Sequence, residues 1–205
     1  MTDDLTAQIK DLIVAQPAPH GRRLIAVAGP PAGGKSTLAE HLAEVLPNAA
    51  VVPMDGFHLD NDTLSARGLL ARKGSPATFD ALGFVKLVSA LRDPVEVAYP
   101  TFDRSSDSVV PSGGSVSADT DTVIVEGNYL LLDDAPWNQL RQFWDLSIFL
   151  DVPFEVLRER LLQRWRDHGY SDSDALTKAE SNDLPNARVV MDSAANAMHV
   201  VSFTG

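Results

Sequence analysis

Cysteine is absent from the 205-residue chain, which excludes structural disulfides and thiolate zinc sites. Long apolar runs are lacking too, and no stretch approaches the length needed to cross a bilayer. Basic residues are in deficit, with 17 Lys and Arg against 28 Asp and Glu and a net charge of −11. That balance argues against a protein that coats nucleic acid, because such a surface needs clustered cations. Met1-Thr2-Asp3-Asp4 is acidic and lacks the cationic start and apolar core of a signal peptide, so a cytoplasmic location and no membrane partner are the expectation. With 44% hydrophobic and 22% charged residues the chain reads as an ordinary globular protein, and residues 1–205 suit a single domain.

What is present is organised around Gly29-Pro30-Pro31-Ala32-Gly33-Gly34-Lys35-Ser36. This stretch follows the apolar run Leu24–Ala28 and opens an apolar-periodic segment, Thr37 to Leu46. It reads as strand, phosphate-binding loop, helix. Backbone N–H groups and a helix N-terminus surround a phosphate in such a loop, Lys35 bridges β- and γ-phosphates, and Ser36 supplies an oxygen to Mg²⁺. Thr37 is placed for an α-phosphate. The nucleotide expected here is ATP.

Leu5 to Ala15 carries apolar residues at Leu5, Ile9, Leu12 and Ile13, the stripe of an amphipathic helix ended by Pro17 and Pro19. Ala49–Met54 is a short buried strand, and Asp55 follows at its carboxyl end. In an open α/β sheet, ligands sit at that end. Asp55 therefore reads as the general base for an attacking hydroxyl, against the plainer alternative of a turn cap. Thr122–Val125 is a second buried strand ending in Glu126, a carboxylate for the magnesium shell. Asp80 caps a helix over Ala81–Leu91 with Leu82, Val85 and Val88 inward and Phe84 and Leu91 as further inward candidates. Val95–Ala98 is a strand, and Val109-Val110 and Val116 flank Pro111–Ser115 in a small hairpin or irregular loop. After the strand Leu146–Asp151, a helix spans Phe154–His168. On it Arg164 and then Arg160, four apart, are the cations expected to stabilise the transferring phosphoryl group. Residues Asn186 to Met198 form a final helix. Strands alternating with helices predict a three-layer α/β/α domain with a mostly parallel central sheet. A small helical lid is expected at about 154–185.

Candidates for acceptor recognition are His58, Arg72, Lys73, Tyr99, Phe102, Asp103 and Arg104. For His58 and the aromatics simple packing is an equal reading. Arg72 and Lys73 either hold an anionic group or keep their loop soluble.

Together these residues resemble the group of P-loop small-molecule kinases that contains uridine kinase, pantothenate kinase and phosphoribulokinase. The likeness rests on Gly29–Ser36, Met54-Asp55-Gly56-Phe57-His58, Arg72-Lys73-Gly74, Val125-Glu126-Gly127 and the arginines after Asp151-Val152-Pro153. It implies that Asp55 is the catalytic base and that Arg164 contacts the phosphates. Residues 72–80 are similar to the pantothenate kinase arrangement. Met54–Leu59, Tyr99–Arg104 and Asn182–Asn186 are most similar to bacterial proteins that carry the label fructose transport system kinase, which implies a sugar acceptor. Uridine kinase has a histidine in the loop matching 102–107, and this chain has none.

The sequence thus predicts an ATP- and Mg²⁺-dependent kinase acting on a hydroxyl of a small polar metabolite. Pantothenate- and nucleoside-type kinases are the near alternatives, and a nucleotide-operated accessory ATPase is the more distant one. Oligomeric state is open, a homodimer being the commonest soluble assembly.

Overall fold

The structure is a computed structural model that describes residues 3–18 and 21–203. The phosphate loop follows strand β1 (Arg23–Ala28), whose apolar residues are buried on both faces. Leu24, Ala26 and Ala28 enter one apolar cluster, and Ile25 and Val27 enter another on the opposite side. Such two-sided burial is what a continuous apolar run in a parallel sheet requires. The sheet adds β2 (Ala49–Pro53), β5 (Thr122–Gly127), β6 (Leu146–Asp151) and β7 (His199–Ser202), in the order β2-β5-β1-β6-β7. All four pairings are parallel.

One face is covered by α1 (Asp3–Val14), α2 (Lys35–Val45) and the start of α5 (Phe154–Asp167), which bury Ile9, Ile13, Leu38, Leu42 and Leu157. Pro19, expected to help end α1, lies outside the described residues. The opposite face is covered by α4 (Ala81–Ala90), the turn Trp137–Phe143 and α7 (Leu184–Asp192). The smaller elements α3 (Asn61–Ala66) and α6 (Asp172–Lys178) flank the carboxyl end of the sheet. Among the described residues no helix is long and apolar enough to cross a membrane.

Three local expectations are corrected. Leu82 is 56% exposed, because Ala81, Phe84, Val85 and Val88 already fill the buried face of α4 and Leu82 falls one step around the helix. The final helix starts at Leu184 and ends at Asp192, giving way to a tight turn over Ser193–Asn196. The stretch taken as a strand and loop is a separate two-stranded antiparallel hairpin, β3 (Val97–Asp103) with β4 (Ser108–Val116). Pro111–Ser115 therefore sits inside a strand. The ladder absorbs the proline at 100, which has no N–H to donate, by shifting register between Tyr99 and Thr101.

The amino-terminal edge of the domain is tied together by Arg22, which is fully buried. Its guanidinium donates to the carbonyls of Thr120, Leu91, Val95 and Ser117 at 2.7–3.2 Å. Two segments distant in sequence, 91–95 and 117–120, thus share one cation with the start of β1. Arg22→Leu is expected to lower stability by about 2–4 kcal/mol, because four buried carbonyls lose a charged donor. Urea unfolding checks this, the midpoint falling while the slope stays constant.

Candidate active site

The phosphate loop turns because Gly34, at φ +94°, takes the left-handed conformation just before α2 begins. Gly33 N–H donates to Pro30 O at 3.1 Å, closing the loop upon itself. Lys35 Nζ donates to the same carbonyl at 2.9 Å. Ser36 and Thr37 lie exposed in the first turn of α2.

Glu126, the penultimate residue of β5, is in register with Val27 of β1 on one side and Pro53 of β2 on the other. It is therefore beside the phosphate loop and two residues from the level of Asp55. Lys35 and Glu126 are both buried, at 8% and 7% exposure. Burial pushes the Lys35 ammonium down, opposed by Glu126 and Asp55, while Arg104 and Arg164 push it further the same way. Burial likewise pushes the Glu126 carboxyl up, and the Asp55 charge adds to this, whereas Lys35 and the Ser36 hydroxyl favour its charged form. A hydroxyl and a carboxylate side by side are hard oxygen donors, the set that suits Mg²⁺, which takes its remaining ligands from water and phosphate. Ser36 and Glu126 are the residues that would hold it.

Asp55 lies in a single-turn helix, Met54–Phe57, at the end of β2. The turn packs against the hairpin so closely that a Cβ on Gly56 would lie 1.8 Å from Pro100 O. Only glycine lets β3 approach there. The hairpin is further pinned by Tyr99, whose hydroxyl donates to Val51 O at 3.0 Å.

These elements enclose a cleft of about 760 Å³. Pro31 of the phosphate loop, Asp55, His58, Phe102, Arg104 and Arg164 all line it, as does Lys73. His58 is stacked between Phe79 and Phe102, with ring centroids 4.1 and 4.7 Å away. Its Nδ1 meets Asp55 O at 2.8 Å. A carbonyl only accepts, so Nδ1 carries the proton and Nε2 keeps its lone pair. Lys73 Nζ is 2.8 Å from Asp107 Oδ1 and donates to Asn61 Oδ1 at 2.8 Å.

Three of the expected acceptor residues have framework tasks instead. Tyr99 does not line the cleft and anchors the hairpin as described. Asp103 folds the hairpin tip, accepting from Ser105 N and Ser105 Oγ at 2.9 and 2.7 Å and from Ser106 Oγ at 2.7 Å. Those bonds hold its carboxyl down at about 2. Arg72 is exposed, is not among the residues that line the cleft, and donates to Asn182 Oδ1 at 3.4 Å. The two candidate arginines of α5, Arg160 and Arg164, also part company. Arg160 donates to Ala32 O at 3.3 Å and lies over the Phe203 ring, so it braces the phosphate loop from outside. Arg164 faces the cleft and pairs with Asp183 at 3.2 Å.

Asp183 was missed by sequence reasoning, as were Asn128, Asn182 and Asn186, which also line the cleft. Asp183 accepts from Trp165 Nε1 at 2.6 Å and so fixes both Trp165 and Arg164. The available signal was the polar run Asn182-Asp183 at a helix start, inside a segment already noted for its resemblance. The ring of His58 is expected to titrate below its usual 6.5, since burial is the largest influence on it, and to remain Nδ1-protonated when neutral. Nitrogen-15 NMR of the imidazole checks both.

Comparison with known proteins agrees with this geometry. A family model described as an AAA domain matches residues 25–183. The solved structure of a "putative fructose transport system kinase" from Silicibacter sp. TM1040 is 45% identical with a TM-score of 0.88, covering 98% of this chain and 99% of that one. The uncharacterised protein YggC of Escherichia coli K12 is 39% identical over 194 residues, 91% of this chain and 80% of its own length. A "putative uridine kinase" of Schizosaccharomyces pombe is 32% identical over 183 residues, 82% of this chain and 78% of its own. A strand-loop-helix phosphate cradle with a facing carboxylate, on a chain with these relatives, belongs to the AAA-domain family of P-loop proteins, among its small-molecule kinases.

Proposed function

We propose that the chain transfers the γ-phosphoryl group of ATP to a hydroxyl of a small polyhydroxy metabolite, with Mg²⁺ and with Asp55 as the base. The observation that carries this reading is the position of Asp55. It lines the same cleft as Pro31 of the phosphate loop and the His58 and Phe102 rings. A hydroxyl bound against those rings lies between a carboxylate and the place where a γ-phosphate ends.

In this reading the backbone of Gly29, Pro30, Pro31, Ala32, Gly33 and Gly34 cradles the β-phosphate, and Lys35 leaves Pro30 O to reach the β- and γ-oxygens. Thr37 sits at the α-phosphate. Ser36 and Glu126 are the residues that would hold Mg²⁺, which would supply positive charge to the phosphate oxygens. Asp55 takes the hydroxyl proton as the acceptor oxygen bonds to the γ-phosphorus and the bond to the β–γ bridging oxygen breaks, so ADP leaves with that electron pair. Arg164 lies on the phosphate side of the cleft and neutralises the transferring group. Arg160 holds the loop in shape. Segment 154–185, which has its own apolar cluster of Leu161, Leu162, Ala175, Ala179 and Leu184, is the piece we assign to closure over the phosphates.

A sugar acceptor is supported by walls that alternate rings with amides and carboxylates, since sugars offer C–H faces to aromatics and hydroxyls to polar groups. The name borne by the Silicibacter relative points the same way. An ATP-consumption screen over sugars, nucleosides, pantothenate and glycerate, with product identified by mass, is the test. Asp55→Asn is expected to cut transfer by about 10²- to 10⁴-fold while nucleotide binding persists. Full turnover in that variant sinks the mechanism, and ATP hydrolysis indifferent to every hydroxyl compound favours the accessory ATPase.

The raised Glu126 carboxyl sets a second expectation. The group must be ionised to support the metal, so kcat/KM for ATP falls on the acid side with an apparent pKa above 4.5, the ordinary value for glutamate. A pH–rate profile checks it, and Glu126→Gln removes that limb together with most of the activity.

A further inference from the structure

The cleft pairs each of its carboxylates with a cation, but the three pairs are not equivalent. Lys73 lies 2.8 Å from Asp107 Oδ1, donates to Asn61 Oδ1 at 2.8 Å and to Asp107 O at 3.3 Å, and so spends all its donors locally. Arg164 is shared with Asp183, itself fixed by Trp165. Arg104 is different. Its only hydrogen bond among the described residues is from Nη2 to Asp55 Oδ2 at 3.3 Å, and its side chain is 75% exposed. Four of its five N–H donors are uncommitted.

The backbone that presents Arg104 is nonetheless rigid. Asp103 accepts from Ser105 and Ser106, Ser106 and Ser108 share a hydrogen bond at 2.8 Å, and Asp107 is tied to Lys73 and Asn61. A cation with free donors on a braced support, next to the base, is a preorganised anion reader. Its present partner is Oδ2 of Asp55, one of the two oxygens able to take a hydroxyl proton. An exposed ion pair of this kind is held by little free energy and is readily exchanged.

We propose that the phosphoryl acceptor carries an oxyanion, a carboxylate or a phosphate, near the hydroxyl that is phosphorylated, and that Arg104 recognises it by moving from Asp55 onto that group. The inference rests on the kinase reading above and narrows its substrate class. Arg104 is then a specificity residue and a guard on the base. A neutral polyol leaves Arg104 on Asp55, and an anionic one draws it away. The chain's net charge of −11 makes a local cation the more necessary for an anionic metabolite to bind.

The test compares matched acceptors with ATP and Mg²⁺ on the full chain: glycerol against D-glycerate, and fructose against fructose 6-phosphate. The anionic member of a pair is expected to have the higher kcat/KM by roughly 10- to 100-fold, the worth of a charge-assisted hydrogen bond. Arg104→Ala brings the ratio close to one and Arg104→Lys restores part of it. A preference for the neutral member, a ratio that survives Arg104→Ala, or a loss expressed as a raised KM for ATP overturns the proposal, the last assigning Arg104 to the donor. Thermal protection without nucleotide gives a reading independent of turnover. D-glycerate or fructose 6-phosphate raises Tm in the wild type and not in Arg104→Ala if the proposal holds. No shift, or equal shifts in both proteins, overturns it. Transfer that persists in Asp55→Asn defeats the base assignment instead, and the protection result then decides the Arg104 proposal alone.

Discussion

Beneath the phosphate loop a lysine and a glutamate are withdrawn from water at the ends of neighbouring elements, and the rest of the site depends on their mutual field. Neither charge is well tolerated alone at that depth, as their opposed shifts indicate. Together they are held because β5 lies between β1 and β2, so that its last carboxylate reaches the first turn of the helix that follows β1. The parallel sheet thus brings together at its carboxyl edge charged groups that end or follow three neighbouring strands. Asp55 joins them from β2. Without that strand order the loop would be a nucleotide cradle with nothing to hand the phosphate to.

The acceptor half is built by different means. The hairpin of β3 and β4 is not part of the main sheet, and it is attached by a few specific contacts: Gly56 against Pro100 O, Tyr99 to Val51 O, Lys73 to Asp107. Asn182 Nδ2 donates to Lys73 O at 2.7 Å, and Tyr129 Oη donates to Gly74 O. The loop around Gly74 is thereby strapped to both the hairpin and the segment before α7. Apolar burial holds the nucleotide half together, whereas the acceptor half shares that core through Val116, Val97 and Tyr99 and adds polar bonds between distant segments.

That division explains what could be read from the sequence. The runs Leu24–Ala28 and Thr122–Val125 announce buried strands because both faces of each are covered, and the loop between β1 and α2 is a local motif. Asp55 and Glu126 were legible because each directly follows such a run. The hairpin was not, since Pro111–Ser115 spells a loop by local preference and becomes a strand only through its partner and a shifted register. Tyr99 and Asp103 have the composition of a binding loop, yet their polar atoms are consumed by Val51 O and by the serines of the tip. Asp183 was hidden for the converse reason: its partners Trp165 and Arg164 lie 18 and 19 residues away. Leu82 failed because the helix face was already full.

The separateness of the hairpin has a consequence for how such enzymes diversify. Among the described residues its two strands form a ladder with each other and none with the main sheet, so lengthening, shortening or recharging the tip leaves every register of the five-stranded sheet as it is. If Arg104 and Phe102 read the acceptor as proposed above, acceptor choice is encoded in a module whose tip can change while the strand registers of the sheet beneath stay as they are.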